Sequence, residues 1–189
     1  MAALVGLAAP YKEVCTMQTV AESWLDVLDE DGETPMTRAF KSGNFGLTQI
    51  VCEYEKKNGL VEGEDPIHRA AFLGQDELIE KYIQEGVDPD VRDSHGETAL
   101  HKAVRQGHYT TVLTLLYNGA IPNVRDGLGL APLHWLALKG NNQLVELLMQ
   151  FGADVNVRDS FGAMTPFTYA RLLGYKKLAR MLARFGGTW

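Results

Sequence analysis

The stretch DSHGETALHKAVRQGH (93–108) returns 33 residues later as DGLGLAPLHWLALKGN (126–141), with His101 over His134 and Gly107 over Gly140. Outward from this pair the register continues. His68 precedes His101 by the same interval and Gly74 precedes Gly107. Gly86, Gly119 and Gly152 form another series, and the Arg-Asp pairs 92/93, 125/126 and 158/159 a fourth. A period held by several residue types at once marks a stacked repeat. A fifth unit runs one residue late, since Pro166 follows Pro132 by 34 and Gly174 follows Gly140 by 34. A first unit, DGETPMTRAFKSGN (31–44), places its Pro35 31 residues ahead of Pro66.

Within each unit the residue order predicts a helix pair. A Thr-Pro or its equivalent opens a short helix, where proline's missing N–H costs nothing. Gly74, Gly107, Gly140 and Gly174 end that helix at a place favouring positive φ. Val112, Leu113, Leu115 and Leu116, or Leu144, Val145, Leu147 and Leu148, then give the apolar stripe of a second helix. One such pair cannot bury its own apolar face, so neighbours must stack.

The segments DSHGETALHKAVRQGH and LVELLMQFGADVNVRD (144–159) resemble the ankyrin-repeat pattern, and the resemblance runs from about residue 31 to 186. It implies an all-α solenoid of stacked helix-turn-helix units with β-turn loops and a concave binding face. Residues 31–65 form a divergent first repeat, in which VCEYEKKNGLVEGED (51–65) replaces the usual loop with a short irregular one. Residues 66–93, 94–126, 127–159 and 160–189 form the second to fifth, and the last ends in RFGGTW as a cap. Before the array, Val14, Met17, Ala21, Trp24 and Leu28 recur at helical spacing. They predict an amphipathic capping helix within residues 1–30.

Composition narrows the function. Apolar residues make up 46% and charged ones 22% of 189 residues, which suits a globular chain. A net charge of −6 argues against nucleic-acid binding, which needs excess Lys and Arg. Cys15 and Cys52 lack CxxC spacing and read as reduced thiols of an intracellular protein, cytoplasmic or within an organellar complex. No apolar run approaches the ~18 residues of a membrane span.

The histidines do not read as metal ligands. His68, His101 and His134 occupy equivalent sites of successive units, about a helix-pair spacing (~10 Å) apart, too far to share one ion held at ~2 Å. The resemblance implies instead that each imidazole ties adjacent loops by hydrogen bonds. DEDGE (29–33) lacks the later ligands of a calcium loop, Phe40 standing where the closing Glu belongs. No phosphate loop or nucleophile elbow is present, so neither a cofactor nor catalysis is expected.

What remains is surface. The resemblance implies that the loop tips and the outer side of each first helix face the concave groove, and by register these are Arg69, Phe72 and Leu73 of unit two, and His95, Glu97, Lys102, Arg105 and Gln106 of unit three. Unit four adds Leu128, Leu130, Trp135, Leu138 and Lys139, and unit five Phe161, Ala163, Tyr169 and Arg171. Trp135 sits where Arg69 and Lys102 stand in other units, which predicts exposure to water. The expected function is a protein-binding module taking an apolar peptide or helix between units three and five, with Lys102 and Arg105 steering acidic groups. A second surface comprises Lys176, Lys177, Arg180, Arg184 and Trp189. Its cations either complement the helix dipole or meet an acidic protein or anionic lipid, as in an accessory subunit of a larger, membrane-bound assembly. Asn123 and Asn156 stand where the resemblance implies hydroxylation in some members.

Overall fold

The computed structural model describes residues 35–50 and 65–189. The expected capping helix and the irregular first loop lie outside them. Chain contacts divide into two units, Met1–Glu62 and Gly63–Trp189. In the first, helix α1 (Pro35–Lys41) turns at Gly43 into a helical segment over 45–50, with Phe40 and Thr48 buried.

The second unit holds four helix pairs: α2 (Pro66–Leu73) and α3 (Asp76–Gln84), α4 (Ala99–Gln106) and α5 (Tyr109–Tyr117), α6 (Pro132–Lys139) and α7 (Asn142–Gln150), α8 (Pro166–Leu172) and α9 (Lys176–Arg184). First helices pack in series, α2 on α4 on α6 on α8, and second helices form a parallel series, α3 on α5 on α7 on α9. Ile67, Leu78, Ile79, Leu100, Leu115, Leu133, Leu136, Leu144, Leu148, Leu178 and Leu182 fill the core between these layers.

The buried histidines hold units to one another. The backbone N–H of Thr98 donates to His101 Nδ1 at 3.2 Å, and that of Ala131 to His134 Nδ1 at 3.1 Å. An amide can only donate, so Nδ1 is the acceptor and the proton sits on Nε2. Nε2 then donates across the stack, from His101 to the Leu130 carbonyl (3.2 Å) and from His134 to that of Met164 (3.1 Å). His68 Nε2 faces the carbonyls of Val91 (2.9 Å) and Glu97 (3.0 Å) in the same way. Asparagines add a second clamp. Asn123 accepts from the Asp154 N–H (2.8 Å) and donates to the Gly152 carbonyl (3.2 Å), and Asn156 does the same to Thr188 (2.8 Å) and Gly186 (3.0 Å).

A third device is a ring seated on a glycine. Gly140 has φ +71°, and a Cβ there would meet the Tyr175 ring at 3.1 Å. Gly119, with φ +89°, faces open space. Gly119→Ala should therefore cost only backbone strain, on the order of 1 kcal/mol. Gly140→Ala should cost more because Tyr175 must move, and adding Tyr175→Ala should recover the excess. Urea denaturation of the three variants checks this.

Burial holds the imidazoles of His101 and His134 below their ordinary pKa. The unfolded chain takes up these protons below about pH 6.5 while the folded chain does not, so stability is full above that value and falls as pH drops. Below about pH 4.5, Asp93, Glu97 and Asp159 add losses of the same sign. The urea midpoint should hold from pH 8 to 7, fall by pH 5.5 and fall again below 4. His101→Gln with His134→Gln should flatten the first decline while leaving the second.

Candidate functional site

The loops that join units two to five are each organised by the carboxylate that opens them. Asp93 Oδ1 accepts the N–H groups of His95 (2.9 Å) and Glu97 (2.8 Å). Asp126 Oδ1 accepts those of Leu128 and Leu130, both at 2.9 Å. Asp159 Oδ1 accepts those of Gly162 (3.0 Å) and Met164 (3.1 Å). The other oxygen of each carboxylate is met by one position of the following helix. Lys102 Nζ lies 2.7 Å from Asp93, Trp135 Nε1 donates to Asp126 at 2.8 Å, and the Tyr169 hydroxyl donates to Asp159 at 2.6 Å.

Lys, Trp and Tyr share a long side chain ending in a donor, and that shared property is what the position selects. Trp135 is accordingly half-buried, not the exposed side chain its register suggests. Its indole is bonded below by Asp126 and covered by the Arg105 guanidinium, 4.6 Å from the ring centroid. For Asp159, burial opposes ionisation, but the Tyr169 hydroxyl and the loop amides outweigh it and hold the carboxyl below its usual range. Burial and the same bond push the Tyr169 hydroxyl up to about 12.

Unit three carries an ionic cluster. Lys102 also reaches Glu97 at 2.9 Å, and Arg105 pairs with the same carboxylate. Burial disfavours the charged form of Glu97, but the two cations prevail and keep its pKa low. Two cations thus meet two acids, Asp93 and Glu97, so Lys102 and Arg105 are not spare positive charge for steering a partner. Leu130 is also removed from the expected surface: its side chain is buried, while its carbonyl takes the His101 bond.

Other expected positions remain at the surface. Phe72 is 47%, Leu128 52% and Phe161 71% exposed, Leu128 and Phe161 standing on successive loops. Arg69, Leu138 and Tyr169 are half-buried. The register also identifies a residue that the sequence reading passed over. Leu172, 68% exposed, follows Leu138 by 34 and so belongs to the series of Phe72, Arg105 and Leu138. The extra residue of unit five hides it, and Arg171 in its place faces the end of the stack.

At that end Arg171 lies 4.7 Å from the Trp189 ring centroid, and Phe167 meets Trp189 edge-on at 5.5 Å. Trp189 is thus docked by one face on its own last unit, although still 62% exposed. Lys176, Lys177, Arg180 and Arg184 are exposed along α9. Lys176 and Lys177 form the first turn of α9, where the helix dipole disfavours cations, so only Arg184 has the dipole role expected of the group.

Among the described residues, no helix is long and apolar enough to cross a membrane. A search of curated proteins returns no match. A family model described as ankyrin repeats (3 copies) matches residues 47–126 and 115–187, together most of the chain. With four helix pairs among its described residues, inter-unit histidines and carboxylate-centred loops, the chain belongs to the ankyrin-repeat family.

Proposed function

We propose that this chain is a non-enzymatic binding module that receives an apolar peptide or helix of a partner protein across the groove side of units four and five. Ankyrin repeats generally mediate protein–protein interaction, which supplies the class of function. The observation that carries the finer reading is the exposure of Leu128, Phe161 and Leu172, at 52, 71 and 68%. Nothing in the internal bonding of the loops requires Leu128 and Phe161 to be apolar, because the loops are held by Asp126 and Asp159 through backbone amides. Large apolar side chains kept in water at neighbouring loops mark contact surfaces.

Trp135 contributes a rigid floor to this surface rather than a free anchor. Tyr169 does the same one unit on, its ring edge-on to His134 at 5.8 Å. Arg105, stacked over Trp135, bounds the apolar stretch on the unit-three side.

The test starts with a tagged pull-down from the native source, followed by titration of the captured partner. Phe161→Ala with Leu128→Ala should weaken binding at least roughly tenfold, in the range of interface hot spots, and leave the melting temperature within about 2 °C. Unchanged affinity would remove the groove from the interface. Recovery of the chain at fixed stoichiometry in a large assembly would instead make it an accessory subunit.

A further inference from the structure

The outer helices carry a charge pattern that changes sign from one end of the layer to the other. Position by position, α3 and α9 are equivalent: Glu77 stands where Lys177 stands, Glu80 where Arg180 stands, and Gln84 with Glu85 where Arg184 stands with Phe185. All these side chains are exposed. Asp76, equivalent to Lys176, accepts a hydrogen bond from the Thr111 hydroxyl. The intervening helices are nearly neutral there, with Thr110, Leu113 and Tyr117 on α5 and Gln143, Glu146 and Gln150 on α7. Lys81 is also exposed on α3, at the position of Met181, but Asp76, Glu77, Glu80 and Glu85 outnumber it, so the layer runs from acidic at α3 to basic at α9. At its middle Tyr117 is 74% exposed and meets Phe151 edge-on at 5.2 Å.

We propose that a second copy of this chain packs on this layer, about a two-fold axis parallel to the helices and passing between α5 and α7. That operation lays α3 of each copy beside α9 of the other, with helices parallel and turns level. Glu77 then faces Lys177, Glu80 faces Arg180 and Glu85 faces Arg184, twice over. The Tyr117–Phe151 pair falls on the axis and meets its own symmetry mate, giving a self-complementary contact. The other in-plane two-fold, along the stack, would set α3 against α3 and α9 against α9, so the charges select one arrangement. A flat anionic membrane would meet the same layer at Glu77 and Glu80 as well as at Lys177, whereas a reversed copy satisfies both ends. The aromatic centre supplies affinity, and the charges supply orientation and rate.

Sedimentation equilibrium on the full chain tests this. The wild type should dimerise at micromolar concentration, and the dimer should weaken at least roughly tenfold between about 50 and about 500 mM NaCl. Lys177→Glu with Arg180→Glu should be monomeric, as should Glu77→Lys with Glu80→Arg. An equimolar mixture of the two variants should form a heterodimer, because each reversed end then meets a complementary one. Tyr117→Ala should weaken the wild-type dimer independently of salt, and circular dichroism should show all variants folded. A wild type that stays monomeric at about 100 µM, or variants that fail to pair on mixing, would overturn the proposal. So would a monomer that binds phosphatidylserine vesicles through Lys177 and Arg180, which would give α9 to lipid instead.

Discussion

A neutral imidazole has one donor and one acceptor on opposite sides of its ring, and the stacking of this chain depends on which is which. At His101 and His134, Nδ1 takes the amide that opens the histidine's own helix, leaving Nε2–H to reach the next loop. One side chain thus starts a helix and sets the distance to the next unit, with both ring atoms satisfied away from water. Each such bond is worth only about 1 kcal/mol net. Its larger effect is exclusion, since a shifted loop would leave a buried imidazole unpartnered. In unit five the equivalent residue is Thr168, whose hydroxyl pairs with that of Thr165, 3.1 Å away.

The loop carboxylates impose a related constraint on the groove. Because Asp93, Asp126 and Asp159 each use one oxygen on loop amides, the residue nine or ten positions later must bring a donor to the other. Lysine, tryptophan and tyrosine all satisfy it, but they give the groove different surfaces: an ion-paired wall at unit three and aromatic floors at units four and five. A position under structural constraint thus also varies the binding face. Truncating Trp135 would remove a bond to a buried carboxylate along with an aromatic contact, so its effect on a partner cannot be read apart from its effect on the loop.

The helix pairs, their register and the histidine ties were legible because they depend on spacing and on local chemistry repeated three times over. The burial of Trp135 was not, because inferring exposure from Arg69 and Lys102 treats a polar side chain as a sign of water. Lys102 is polar because it answers Asp93 and Glu97. Likewise Leu130 looked available as an apolar loop residue, although its backbone had to turn inward to present a carbonyl to His101. Leu172 was missed through arithmetic alone, the extra residue before Pro166 shifting the register by one. Sequence periodicity locates a position, while its exposure depends on what its neighbours in other units donate or accept.

The two ends of the outer layer show how folding and surface chemistry separate. Acidic residues in the first turn of α3, Asp76 and Glu77, are favoured by the helix dipole. Lys176 and Lys177 occupy the same turn of α9, where the dipole opposes them at a cost of about 0.3–1 kcal/mol each. In the same helix pair Arg171 is placed where Ala71, Val104 and Ala137 are buried in earlier units, and the Thr188 carbonyl accepts the Thr165 hydroxyl at 2.5 Å. A polar end face needs neither lysine, and uncharged polar residues such as the Asn142 and Gln143 of α7 serve at those positions one unit earlier. The lysines of α9 thus run against the preference of the turn they occupy, while Arg184 in the last turn follows it, so local helix chemistry explains the arginine and not the lysines.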